Sequence, residues 1–195
     1  MTNNIKLATR KSPLALAQAN MVKSFLIDNS VFDKVDLISM STSGDTVDNK
    51  SFKKEGGKGL FLKELENALL EGEADIAVHS MKDVPAKLDE RFNISTIMER
   101  EDPRDVFISD KHKTLSDIET GVIGSSSPRR QAIIKHINSN IKSKEIRGNI
   151  QTRLQKLKKE QLDGIILAKS GLKRMGLDHV VTESLDVNDF VPSPG

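Results

Sequence analysis

The 195-residue chain contains no cysteine, no tryptophan and no tyrosine. Without cysteine there can be no disulfide, no thiolate metal site and no thiol nucleophile. Phenylalanine is the only aromatic, so stacking platforms for nucleic-acid bases are scarce. No run approaches the ~20 apolar residues that span a bilayer. The opening MTNNIKLATR lacks the apolar stretch of a secretory leader, so a cytoplasmic protein without membrane contact is expected. The histidines at 79, 112, 136 and 179 do not have the spacing of metal ligands, so no metal is expected.

What the chain does hold is 36% hydrophobic and 30% charged residues, the mix of a globular protein. Its length admits one large domain or two small ones. The formal charge of +2 conceals a strong polarity. Residues 122–174 carry 13 Lys+Arg against Glu145, Glu160 and Asp163, a net of +10, whereas residues 1–121 carry 17 basic and 21 acidic residues, a net of −4. Arg129, Arg130, Arg147, Arg153 and Arg174 each stand beside a predicted strand end or helix start. Arginine offers a planar fork that matches carboxylate or phosphate. Five forks brought to one cleft would suit a ligand with many negative groups.

Short apolar runs alternate with helical patterns, the signature of α/β architecture. The pattern predicts strands over Ile5–Thr9, Val35–Met40, Ala74–His79, Ile94–Met98, Val106–Ser109, Gly121–Gly124, Lys142–Ile146 and Asp163–Ala168. It predicts helices over Pro13–Asn29, Leu60–Glu71, Pro128–Asn138, Asn149–Lys159 and Ser170–Met175, the first with an apolar stripe of Leu14, Ala17, Met21 and Phe25. A strand–loop–Ser–Pro–helix unit occurs at Ile5–Pro13 and again at Gly121–Pro128. Plain capping explains either alone, since Ser before Pro is a good helix start. Two of them, each offering a helix N-terminus to an anion, suggest two similar lobes facing a shared cleft. The polar stretch Glu99–Arg104 is the expected crossing between them.

In ADIAVHSMKDVP (74–85) a buried strand runs straight into a polar loop, where α/β proteins gather ligands. Asp83 there could hold an N–H group and stabilise a developing cation, or could simply make a turn. KKEGGKGLF (53–61) is no Walker loop, because Phe52 replaces its first Gly and Gly59 its final Ser/Thr. A flap over an anion and a solvated basic turn both fit it. A basic face can also bind nucleic acid, but these arginines occupy separate strand–helix junctions without a basic helix or aromatic motif.

Taken together the segments resemble porphobilinogen deaminase, also called hydroxymethylbilane synthase. The strings are LATRKSPLALAQ (7–18), GGKGLFLKELE (56–66), ADIAVHSMKDVP (74–85), EREDPRD (99–105), SSPRRQ (126–131), IRGNIQTRL (146–154) and LAKSGLKRMG (167–176), in family order. The resemblance implies two lobes like type II periplasmic binding proteins, each a mixed, mostly parallel sheet flanked by helices. The lobes are expected at 1–99 and 100–190, with 191–195 beginning a return to the first. It implies deamination of porphobilinogen and head-to-tail joining of four units into hydroxymethylbilane, built on a dipyrromethane cofactor. Each pyrrole carries an acetate and a propionate, so a growing chain accumulates carboxylates that need cations.

By matching position, the resemblance makes Asp83 the catalytic carboxylate that holds pyrrole nitrogens. It assigns Lys82, Ser127, Arg129, Arg130, Arg147 and Arg153 to the cofactor, and Arg10, Ser12, Arg174, Lys54 and Lys58 to the substrate. The family anchors its cofactor through a thioether to a cysteine in a third, α+β domain. This sequence has no cysteine and stops at VPSPG, so that domain is expected to be absent. A truncated chain, a separate partner chain that supplies the third domain, and a different anchor all fit. The second class of function to weigh is a non-catalytic module that binds polycarboxylate pyrroles or other anions.

Overall fold

The structure is a computed structural model that describes residues 3–42 and 62–194. It divides into two compact units, Met1–Ile97 with Pro194–Gly195, and Met98–Ser193.

The first unit starts from the alternation in β1 (Asn4–Arg10), which buries Ile5 and Leu7 on one face and Ala8 on the other. Ser12 then turns the chain into α1 (Pro13–Asp28): its hydroxyl accepts from Ala15 N at 3.3 Å, and Pro13 supplies the fixed φ of a first helical position. β2 (Lys34–Met40) returns parallel to β1, with Ile5 opposite Val35 and Arg10 opposite Met40. After α2 (Lys63–Leu70) comes β3 (Ile76–Ala77), also parallel to β1, which gives the order β2-β1-β3. Val22 and Leu26 of α1 cover the Ile5/Leu7/Val35 face, while Leu65 and Ala68 of α2 cover Ala8.

The second unit has β4 (Asp105–Ile108), β5 (Gly121–Gly124), α3 (Pro128–Ile137), β6 (Ile141–Lys144), α4 (Ile150–Lys159), β7 (Gly164–Ala168), α5 (Lys169–Arg174) and β8 (Glu183–Ser184). Its sheet runs β6-β5-β7-β4-β8, with β5 parallel to β6 and β7, and β4 antiparallel to β7 and β8. GIILA is apolar throughout, and DVFI is apolar after Asp105, because both faces are covered. Phe107 and Ile166 point into a cluster with Ile123, Ile134 of α3, Leu185 and Phe190. Val106, Ile108, Ile165 and Leu167 point the other way, onto Leu157 of α4 and Leu172 of α5.

Three expectations are corrected, and one short strand was not foreseen. Ile94–Met98 is not a strand but an irregular, exposed segment, with Ile97 72% exposed. An apolar run forms a strand only where a neighbour satisfies its N–H and C=O groups, and among the described residues none pairs with it. Ala74–His79 shortens to a two-residue strand. The stripe foreseen on α1 is not the buried one: Met21 and Phe25 are exposed while Ala19, Val22 and Leu26 face inward. PLALAQANMVKSFLID is apolar on more than one side, and packing on the sheet selects the face. β8, polar and two residues long, carries no pattern that could announce it.

Candidate functional site

In the first unit, β1 and β3 are neighbours whose carboxyl ends lead to Arg10 and to the 79–85 loop. The loop forms a tight turn at Met81–Asp83, closed by Asp83 N donating to Ser80 O at 2.9 Å and Val84 N donating to Met81 O at 3.1 Å. The Ser80 hydroxyl donates to Gln18 Oε1 at 2.8 Å and so ties the turn to α1. Asp83 and Lys82 are exposed on it. Beside them His79 is driven below its ordinary 6.5 by burial, against the pull of the Asp83 carboxylate and with help from the Arg10 cation. Arg10, His79 and Asp83 are therefore within electrostatic reach of one another. Ser12 is engaged as the cap of α1.

In the second unit, β5 ends at a serine loop. Ser125 is buried, its N–H donates to Lys144 O at 2.9 Å, and its carbonyl accepts from Gln131 Nε2 at 2.6 Å. The Ser126 hydroxyl donates to Ile146 O. Ser127 caps α3, accepting from Arg130 N at 3.5 Å, with Pro128 at the first helical position. The two Ser–Pro units thus have the same extended cap and proline start.

Arg129 and Arg130 follow and converge on Asp105, whose side chain is 2% exposed. Arg130, itself 9% exposed, donates from Nε and Nη2 to the two Asp105 oxygens at 3.1 and 2.6 Å, and from Nη1 to Ile166 O at 3.1 Å. Arg129 Nη2 reaches Asp105 Oδ2 at 2.7 Å and Nη1 donates to Val191 O. Arg147 donates to Glu145 Oε1 at 2.9 and 2.6 Å. Arg153 donates from Nε to Gly148 O at 2.8 Å. Gly148 has a φ of +114°, a backbone that disfavours any side chain. Burial, and then the charges of Arg130 and Arg147, push the Arg153 guanidinium below its usual value. Arg130 and Arg147 are thus the like charges that act on Arg153.

Arg174 has different company. It lies in the last turn of α5, and its Nε is buried without a hydrogen bond among the described residues. Its charge acts on Glu101, a carboxyl held low chiefly by its hydrogen bond from Lys173 at 2.8 Å. Lys54 and Lys58 lie outside the described residues. Sequence reasoning missed Asp105 as the partner of the arginine pair. The signal was an acidic residue at the head of an otherwise apolar strand, in DVFI. Among the described residues no group of three His, Cys, Asp or Glu could hold a metal, and no helix is long and apolar enough to cross a membrane.

Two helix-flanked sheets, mostly parallel, define an α/β protein with the fold of the type II periplasmic binding proteins. A TRAP periplasmic solute binding protein from Desulfovibrio salexigens DSM2638 is similar at 12% identity and a TM-score of 0.50, over 100% of this chain and 69% of that one. The VFT2 domain of BvgS from Bordetella pertussis is similar at 13% identity and a TM-score of 0.50, over 94% of this chain and 76% of that one. Within this fold the chain belongs to the porphobilinogen deaminase family: the family's model described as "Porphobilinogen deaminase, dipyromethane cofactor binding domain" matches residues 5–195. It is therefore related to the proteins of tetrapyrrole biosynthesis. The donors present suit an acidic pyrrole cofactor, since burial and the charges of Arg130 and Arg147 work against the Arg153 cation, which would gain from an anion. A thiol anchor is not available within these 195 residues.

Proposed function

We propose that this chain acts as hydroxymethylbilane synthase, deaminating porphobilinogen and joining four units into the linear tetrapyrrole. The observation that carries the reading is the family match across residues 5–195, which spans both units. When bound, the dipyrromethane would supply the pyrrole end on which the product grows. Ser127, Arg129, Arg130, Arg147 and Arg153, with Lys82, would hold its acidic side chains. Asp83, exposed in a turn that two backbone hydrogen bonds fix, would accept the pyrrole N–H of the substrate and stabilise the cation left when ammonia departs. Arg10, Ser12, Arg174, Lys54 and Lys58 would take the substrate's carboxylates.

One observation favours a second reading, in which the chain binds polycarboxylate pyrroles without turning them over. It is the lack of a cysteine to fix the cofactor in these residues. Porphobilinogen consumption by the purified chain, with its intact mass recorded alongside, separates the two. Consumption that Asp83→Ala abolishes, with the circular dichroism spectrum unchanged, is the expected result. Normal turnover by that variant removes Asp83 from the chemistry. Porphobilinogen bound but not consumed, on a protein of unmodified mass, leaves the binding module. Neither binding nor consumption sinks both readings.

A further inference from the structure

Asp105 is the only acidic residue fully buried among the described residues. Its main chain is held from both sides: it pairs with Ala168 on β7, and its carbonyl accepts from Leu185 N at 3.0 Å. A carboxylate so placed cannot swing away to meet a cation, so the cations come to it. Three charge-assisted hydrogen bonds reach it, two from Arg130 and one from Arg129, and Oδ2 is shared between the two residues. Neighbouring positions on a helix point about 100° apart. Without a common acceptor, two like-charged side chains at 129 and 130 would diverge and repel.

We infer that Asp105 is the positioning residue of the arginine pair, holding Arg129 and Arg130 together at the start of α3 as one pre-ordered cation of net charge +1. The inference rests on the reading in which these two arginines meet ligand carboxylates. An arginine that is free in solution gives up rotamer freedom when it binds. One already seated on Asp105 has given it up on folding. Arg129 is still 25% exposed, and its Nε–H has no partner among the described residues. It is the member of the pair with donor capacity left for an anion. Arg130 serves mainly as the buried partner of the Asp105 carboxylate.

Replacing Asp105 alone strands the buried Arg130 charge and is expected to destabilise the unit. The deciding comparison is therefore R130M against D105N/R130M, which removes that charge from both and leaves Arg129 to report. Two readouts apply: the solvent exchange of the Arg129 side-chain Nε–H by nitrogen-15 NMR, and calorimetric titration with a dipyrromethane that carries acetate and propionate groups. The expected result in D105N/R130M is faster exchange at Arg129 and binding roughly tenfold weaker, at a melting temperature close to that of R130M. An Arg129 signal that does not change, or an affinity within twofold of R130M, overturns the inference. If neither R130M nor the unaltered chain binds the dipyrromethane, the ligand reading of the arginines falls. The Arg129 exchange rate then decides by itself whether Asp105 positions that side chain.

Discussion

Replacing Gly164 with alanine should weaken the second unit by a steric route that the structure specifies. Gly164 opens β7, and a Cβ built on it would sit 2.1 Å from Phe107 Cε2, 2.8 Å from Cζ and 3.1 Å from Cδ2. Optimal carbon contacts lie at roughly 3.5–4.0 Å, so the ring edge or the strand must yield by more than an ångström. Phe107 has nowhere to go, being fully buried among Leu115, Ile118, Ile123 and Ile134. It is also held on β4 opposite Ile166, the residue two along from Gly164 on the same face. Overpacking of this kind costs about 1–3 kcal/mol. Alanine returns about 0.4–1 kcal/mol by restricting the unfolded chain. A net loss of about 1.5 kcal/mol would lower the melting temperature of a unit of this size by roughly 6–12 °C. Far-UV circular dichroism measures the shift, and amide exchange at Ile165–Leu167 assigns it to this sheet. In the double variant F107L/G164A the loss should be smaller than the sum of the two singles, because leucine removes the ring edge that alanine meets. G164A melting at or above the parent temperature would refute the argument, since the entropy gain would then stand unopposed.

The pH dependence of the first unit should carry a signature of His79. Burial lowers its folded pKa below 6.5, so the unfolded chain binds its proton first and stability falls as the pH drops below about 6.5. The loss levels off once the folded-state His79 has itself protonated. His79→Gln should flatten the melting temperature between pH 7 and pH 5, and an unchanged slope would rule this histidine out as its source. At the head of α4, the Asn149 carboxamide accepts from Thr152 N at 2.9 Å as the helix cap. Asn149→Ala should therefore cost ~1 kcal/mol in urea unfolding, with Asn149→Ser close to the parent.

How far the sequence could be read depended on whether a feature carries its own partner. β4 and β7 were legible because a strand covered on both faces is mostly apolar along its length, as GIILA is throughout and DVFI is after Asp105. The Ser12–Pro13 and Ser127–Pro128 starts were legible because a cap is completed within three residues. Ile94–Met98 misled because strandhood is a property of a pair, and the composition of one segment does not supply the other. The face of α1 misled because a helix apolar on two sides leaves the choice to the sheet beneath. The arginines were visible by type and place, yet Asp105 lies 24 and 25 residues before them. No local pattern announces an ion pair at that separation.

That missing partner changes what the positive charge of residues 122–174 means. Arg129 and Arg130 share the charge of Asp105, and Arg147 is paired with Glu145. Most of the surplus that the count shows is therefore already answered within the fold or spread over exposed lysines. Arg153 differs: among the described residues no carboxylate lies within ion-pair distance of it, as is also true of Arg174, and burial together with Arg130 and Arg147 works against its charge. An incoming carboxylate would gain little by displacing Asp105 from Arg130, because a buried acid would then be left unpaired. It would gain more beside Arg153, where it turns repulsion among like charges into attraction. In the proposed reading the arginines thus divide their work: Arg130 secures the frame, Arg129 bridges frame and ligand, and Arg153 holds a cationic charge that no carboxylate among the described residues pairs with.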